Sequence, residues 1–180
     1  MSAHLLARIH SYVLSKSQGT EIVPVKMAVI EEAESKLGFK LPQLLKSCYV
    51  EIGNGGFGPG YGLIGFDGGA ASDFGSITDA FNQLKSDHQA LGNQWPAQLL
   101  PFCDWGCNIF FCVDCSDENS PIYTFDAGRL TPQGYNLQEF FEMWIGDQDI
   151  LFASDGKIIT RKITNPFTGE ETIIRTHEQN

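Results

Sequence analysis

Residues 30–66 run IEEAESKLGFKLPQLLKSCYVEIGNGGFGPGYGLIGF, a stretch whose hydrophobic period changes three times. With Val29 just ahead of it, Ile30, Ala33 and Leu37 fall on one helical stripe. Glu31, Glu32 and Glu34 fall off that stripe, and Gly38 supplies a residue at which a helix stops. Pro42 opens a second helix, since proline in the first turn lacks only an N–H that has no partner there. Its apolar face is Leu44, Leu45, Cys48, Tyr49 and Ile52. The link Gly38–Leu41 is short enough to make the two helices an antiparallel pair. After Gly53 the run NGGFGPGYG forbids helix. Gly62–Phe66 then forms a short strand ending at the turn Asp67-Gly68-Gly69.

Working outward, Leu5, Leu6, Ile9, Tyr12 and Val13 recur at helical spacing and predict an amphipathic helix within residues 1–20, accessory to the main domain. Downstream, Ile77, Phe81, Leu84, His88 and Leu91 predict another helix. From Trp95 to Phe125 short apolar runs broken by Pro96, Pro101, Gly106 and Pro121 predict strands, with Asn108–Cys115 largely buried. Leu137, Phe140, Phe141, Trp144 and Ile145 give the clearest amphipathic helix, and Asn136 with Glu139 has the spacing of a capping box. Two alternating Ile/Thr runs within residues 157–176, joined by Asn-Pro-Phe-Thr-Gly, predict a terminal β-hairpin. The sum is one α+β domain over residues 1–180, a mostly antiparallel twisted sheet packed on one face by helices.

The chain of 180 residues is 42% hydrophobic with 13 Phe, enough for a sizeable core without metal or disulfides. Its five cysteines are an odd number, which fits reduced thiols and a cytoplasmic location better than a disulfide framework. No apolar run has the length of a membrane span, and residues 1–20 lack the unbroken apolar core of a signal peptide. Residues 27–155 carry 18 acidic and 5 basic side chains, a net −13 within a total of −10. Such a field repels phosphate backbones and anionic lipid and attracts basic partners, so nucleic acid and membrane are poor candidate ligands. Solubility alone is the plainer reading of the same charge.

Several motifs invite chemistry. Gly53–Gly58 and Gly60–Gly65 both match G-x-G-x-x-G, but a dinucleotide site needs a strand before the loop and a helix after it, and here the order is reversed. The glycines are better suited to tight turns. Cys103, Cys107, Cys112 and Cys115 provide four thiols in thirteen residues, as a zinc site would. On one strand, however, Cys112 and Cys115 project from opposite faces, so a four-way convergence fails and buried cysteines serve as small hydrophobes. His4, His10, His88 and His177 are scattered, and His88 on an apolar stripe suits a satisfied core residue. Asp114, Asp117, Glu118 and Asn119 form an acidic turn without the calcium-loop register, the tip of a solvated hairpin. Asp67, Asp104 and Asp126 also sit at expected turns. With Asp114, Asp117 and Glu118, Asp67 and Asp104 are the candidate residues of a partner-facing acidic rim. No catalytic, cofactor-binding or metal residues are assigned.

Taken in order, Ile30-Glu-Glu-Ala-Glu34, Leu37-Gly38, Lys40-Leu41-Pro42, Gly53-Asn54-Gly55-Gly56 and Gly62-Leu-Ile-Gly65-Phe66 resemble the signature of the SUKH superfamily, Smi/Knr type. Leu100–Gly106 resembles the family's lead into its central strands, and Leu137–Ile145 its closing helix. The likeness covers residues 27–146, with the first helix and the 157–176 hairpin outside it or at its edge. It implies an α+β fold without a known catalytic centre and a binding role. Members include bacterial immunity proteins that neutralise cognate toxins, and a fungal regulator of cell-wall synthesis. Leu41 and Pro42 would then start a helix, and Asn54, Gly55, Gly56 and Gly65 would shape the turn, all structurally rather than catalytically. The insert Phe57-Gly-Pro-Gly60 and the cysteine-rich strand depart from the family pattern. Three functions follow as alternatives: immunity against a basic, nuclease-like toxin; a regulatory scaffold; and a cysteine-cluster metal protein. The partner and the oligomeric state stay open, since the terminal hairpin presents an edge to which another chain can pair.

Overall fold

Helix α1 (Ala3–Lys16), helix α2 (Met27–Leu37) and helix α3 (Gln43–Glu51) open the chain, and each begins or ends where its sequence dictates. Gly38 caps α2 at φ 83°, in the left-handed conformation that glycine adopts without strain. Pro42 sits one residue earlier than expected, at the N-cap of α3 rather than in its first turn, with extended ψ of 139°. Strand β1 (Gly62–Leu63) is shorter than the expected Gly62–Phe66, because Gly65 pairs with Ala70 and Ile77 instead of with a strand. Helix α4 (Ile77–Ala90) starts at a capping box in which Ser76 and Asp79 satisfy each other's backbone N–H groups. This computed structural model describes residues 3–17, 22–151, 158–164 and 171–177.

Strands β2 (Leu99–Gly106), β3 (Ile109–Asp114), β4 (Pro121–Asp126) and β5 (Arg129–Asn136) follow as a meander. The sheet order is β1-β2-β3-β4-β5 and every neighbouring pair is antiparallel. Asn108, expected as the first residue of a strand, belongs instead to the β2–β3 turn, where it and Cys107 take positive φ. No sequence signal marks β5, since Pro132 and Gly134 interrupt its pattern. Its place at the sheet edge tolerates both, because an edge strand needs partners on one side only. Helix α5 (Leu137–Ile145) begins at the Asn136/Glu139 capping box that the sequence indicates. Strands β6 (Ile158–Thr164) and β7 (Glu171–His177) form a separate antiparallel hairpin, in register from Ile158 opposite His177 to Thr164 opposite Glu171. The Asn-Pro-Phe-Thr-Gly connection lies outside the described residues.

The core is aromatic. Phe140 of α5 meets Phe102 and Phe111 edge-on at 5.1 and 5.2 Å between ring centres. Adjacent Phe110 points to the opposite face, as alternation along a strand requires, and meets Phe74 there. On that second face Phe125, cross-strand partner of Phe110, packs with Trp95 and His88 of α4. Burying one such Phe contributes about 1.5–3 kcal/mol, so these contacts fix where the helices lie.

Three further readings change. Helix α1 is no accessory, for Leu5, Leu6, Ile9 and Val13 belong to the common core and α1 packs on α3 and α5. Leu91 lies beyond the end of α4 and is 66% exposed, so it leaves the apolar stripe. His88 is buried, but among the described residues its Nδ1 finds no hydrogen-bond partner, and the ring packs against Trp95 and Phe125 instead.

Candidate functional site

Glu34, assigned from sequence to the polar side of α2, is instead 3% exposed and organises the α2–α3 corner. Its carboxylate accepts hydrogen bonds from Lys40 Nζ at 2.7 Å, the Leu41 backbone N–H at 2.8 Å and Lys46 Nζ at 3.1 Å. Burial pushes this carboxyl up, but those three donors outweigh it and hold the group below the usual Glu value. The pair of lysines at 40 and 46 was the available signal that one glutamate of α2 turns inward. Through Leu41 this anchor fixes the segment that enters α3.

The corner forms one wall of a groove of about 520 Å³. Its walls are Lys40–Leu44, the β3–β4 turn Cys115–Ser120, and Asn136–Gln138. Helices α3 and α5 both begin at this groove, so two helix N-termini face it. The turn is built by its own side chains. Asp114 accepts from the Ser116 N–H and hydroxyl at 2.9 and 2.6 Å, Asp117 accepts from the Asn119 N–H at 2.8 Å, and Leu137 N–H donates to Ser120 O. Asp117 and Glu118 are left exposed on the rim, as a hairpin tip predicts.

The glycine segment has a structural task. Asn54 Oδ1 accepts from Phe66 N–H at 2.8 Å, and Asn54 O accepts from Ala70 N–H, which pins the 66–70 turn to the end of α3. Gly56 N–H and Phe57 O pair with Leu63 on the outer side of β1, so the loop covers that sheet edge. At Gly55, φ is 77° and a Cβ would lie 2.6 Å from Gly65 N and from Leu63 O, a position where only glycine fits. The fingerprint-like glycines thus close on their own backbone.

The five acidic candidates do not converge. Asp114, Asp117 and Glu118 share the β3–β4 end of the sheet. Asp67 is exposed on the far side of α2, 3.9 Å from Lys36. Asp104 is corrected most: it sits within β2 rather than at a turn, 6% exposed, and its Oδ1 accepts from Gly106 N–H at 2.8 Å. Burial raises its carboxyl, Gly106 opposes the rise, and nearby Asp73 adds to it. A small cleft of about 70 Å³ lies beside it, with Tyr61 and Asp73 also in its walls. Neither Tyr61 nor Asp73 was singled out by sequence, for nothing in an exposed tyrosine or aspartate of a loop marks it in advance.

The cysteines are dispersed in environment. Cys48, Cys103 and Cys112 are buried, Cys115 is half-buried and Cys107 is exposed. Burial pushes the Cys48 and Cys115 thiols up to about 12, and Cys103 and Cys112 well above the ordinary thiol range. Thiols so held are poor nucleophiles. Among the described residues no three of His, Cys, Asp or Glu gather as metal ligands would. Among those same residues no helix is long and apolar enough to cross a membrane.

The model of the SMI1/KNR4 family (SUKH-1) matches residues 24–145, more than half of the chain. The span runs from just before α2 to the end of α5 and so takes in the Glu34 corner, the glycine loop, the whole five-stranded sheet and all three walls of the groove. No curated protein matches the chain.

Proposed function

The chain belongs to the SMI1/KNR4 family (SUKH-1), and from that premise we propose that it is a non-catalytic, cytoplasmic immunity protein that neutralises a cognate toxin by stoichiometric binding. The carrying observation is the coincidence of the family span with the acidic segment: residues 27–155 hold the net −13. Toxins of this kind that cleave nucleic acid present basic active sites, and an acidic surface competes for the groove that otherwise takes phosphate. Asp117 and Glu118, exposed on the rim of the 520 Å³ groove, are the carboxylates best placed to meet such a partner. Occlusion needs no chemistry from the immunity protein.

The test is genetic and physical. Co-expression with the toxin encoded beside this gene should restore growth, and the two purified proteins should elute together. Absence of a neighbouring toxin gene, together with failure to protect against any adjacent effector, would sink the reading. A pull-down that returned endogenous regulatory proteins and no toxin would favour the scaffold role of the family's cell-wall regulators.

A further inference from the structure

Two carboxylates are buried among the described residues, and they are treated differently. Glu34 receives two lysines and a backbone N–H. Asp104 receives one backbone N–H, from Gly106, on Oδ1 alone, and no lysine or arginine forms an ion pair with it among the described residues. A carboxylate withdrawn from water without a counter-charge is costly, and sites of this kind are commonly completed by a cation. Asp104 lines a cleft whose remaining wall residues include no lysine or arginine, and its other acidic member is exposed Asp73. The cleft measures about 70 Å³, roughly twice the share of one liquid water, so it suits the head of a single side chain and is far below the size of a small-molecule site.

At its mouth stands Tyr61, 73% exposed and the most exposed of the large hydrophobic side chains among the described residues. Its position is fixed from below: Tyr61 N–H donates to Asp104 O at 2.8 Å, and the ring rests against Gly106, where an added Cβ would come within 3.1 Å of it. An anchored aromatic ring beside a buried carboxylate is the arrangement that receives a guanidinium, which is planar, weakly hydrated and stacks on aromatic faces. Exposed tyrosines are also frequent anchors of protein interfaces.

We propose that the Asp104–Asp73–Tyr61 cleft is the receptor for an arginine side chain of the protein partner. The proposal rests on the reading of the chain as a protein-binding module, and it places a second contact at the opposite end of the sheet from Asp117 and Glu118. Arginine supplies a counter-charge that Asp104 does not have among the described residues, with Asp73 drawing it in and Tyr61 covering its plane.

The probe is N-acetyl-arginine amide, titrated into the full-length protein with isotope-labelled backbone amides. Saturable shifts are expected at Gly106 and Tyr61, with a dissociation constant of about millimolar size for so small a ligand. N-acetyl-citrulline amide, which keeps the shape and removes the charge, should bind at least about tenfold more weakly, and the lysine amide severalfold more weakly. Asp104→Asn keeps an acceptor for Gly106 N–H and should abolish saturation. Exposed Asp73→Asn and Tyr61→Ala should each weaken binding severalfold, which keeps the test sound should Asp104→Asn fold poorly. Equal binding of the citrulline amide, unchanged binding by Asp73→Asn and Tyr61→Ala, or a cleft that holds water alone with no shift at Gly106 would overturn the proposal. Failure of cell protection would overturn the immunity reading without touching these titrations.

Discussion

Replacing Glu34 probes the corner on which the groove is built. In Glu34→Ala, Leu41 N–H loses its acceptor and Lys46, whose side chain is 17% exposed, is left nearly buried without a counter-charge. Lys40 is 76% exposed and simply returns to water, so it adds little. An orphaned buried donor costs about 1–3 kcal/mol and a broken buried pair about 3–5 kcal/mol, and the two overlap here, giving about 3–4 kcal/mol in total. At about 2–4 °C per kcal/mol for a domain of this size, the melting temperature should fall by roughly 6–16 °C. Glu34→Gln retains an acceptor for Leu41 and should lose about half as much. The sign of the pH dependence is fixed by the lowered carboxyl of the folded state: the charge-dependent stability is present above the unfolded Glu value and is lost as pH falls through the folded one. Calorimetry of wild type and Glu34→Gln from pH 7 to pH 3 should therefore show two curves that converge in acid. A loss under about 0.5 kcal/mol, or a gap that stays constant with pH, would refute the role given to this residue.

Other consequences are open to direct measurement. Gly55→Ala forces a Cβ against Gly65 N and Leu63 O at a positive φ, and urea unfolding should show a loss of about 2 kcal/mol or more, with strand-edge amides near Leu63 losing exchange protection. Thiol labelling of the native protein at pH 8 should modify exposed Cys107 first and Cys115 slowly, leaving Cys48, Cys103 and Cys112 protected until denaturant is added; prompt labelling of all five would contradict the packing. The double variant Asp117→Lys/Glu118→Lys loses the Asp117 acceptor of Asn119 N–H, so its melting temperature should fall by about 1–6 °C while the fold is kept, and it should associate with a basic toxin at least about tenfold more slowly at low salt, by stopped-flow. An unchanged rate would remove these two residues from the interface.

The sequence discloses the elements whose boundaries rest on local chemistry. Gly38, the Asn136/Glu139 box and the apolar period of α5 each appear in the structure with the role their spacing suggests. Arg129–Asn136 was hidden because its strand state is imposed by pairing with β4, against the local preferences of Pro132 and Gly134. Glu34 and Asp104 show the other limit. Charge alone assigns both to the surface, and only the tertiary arrangement reveals one paired inside a corner and the other buried within a strand. The exposure of Asp117 and Glu118 was legible, since a hairpin tip must be solvated. The small cleft was not legible, since it joins Tyr61, Asp73 and Asp104 across turns whose geometry no spacing rule supplies.

The central claim is the proposed neutralisation by one-to-one binding, and a titration of toxin activity against this protein tests it most directly. Purified toxin from the neighbouring gene, held well above the dissociation constant, should lose activity linearly and reach zero at one molar equivalent. The apparent affinity should weaken steeply as salt rises, as the −13 segment requires. Complete inactivation by a small fraction of an equivalent would mean turnover, and full activity at several equivalents would mean no binding; either result contradicts the account.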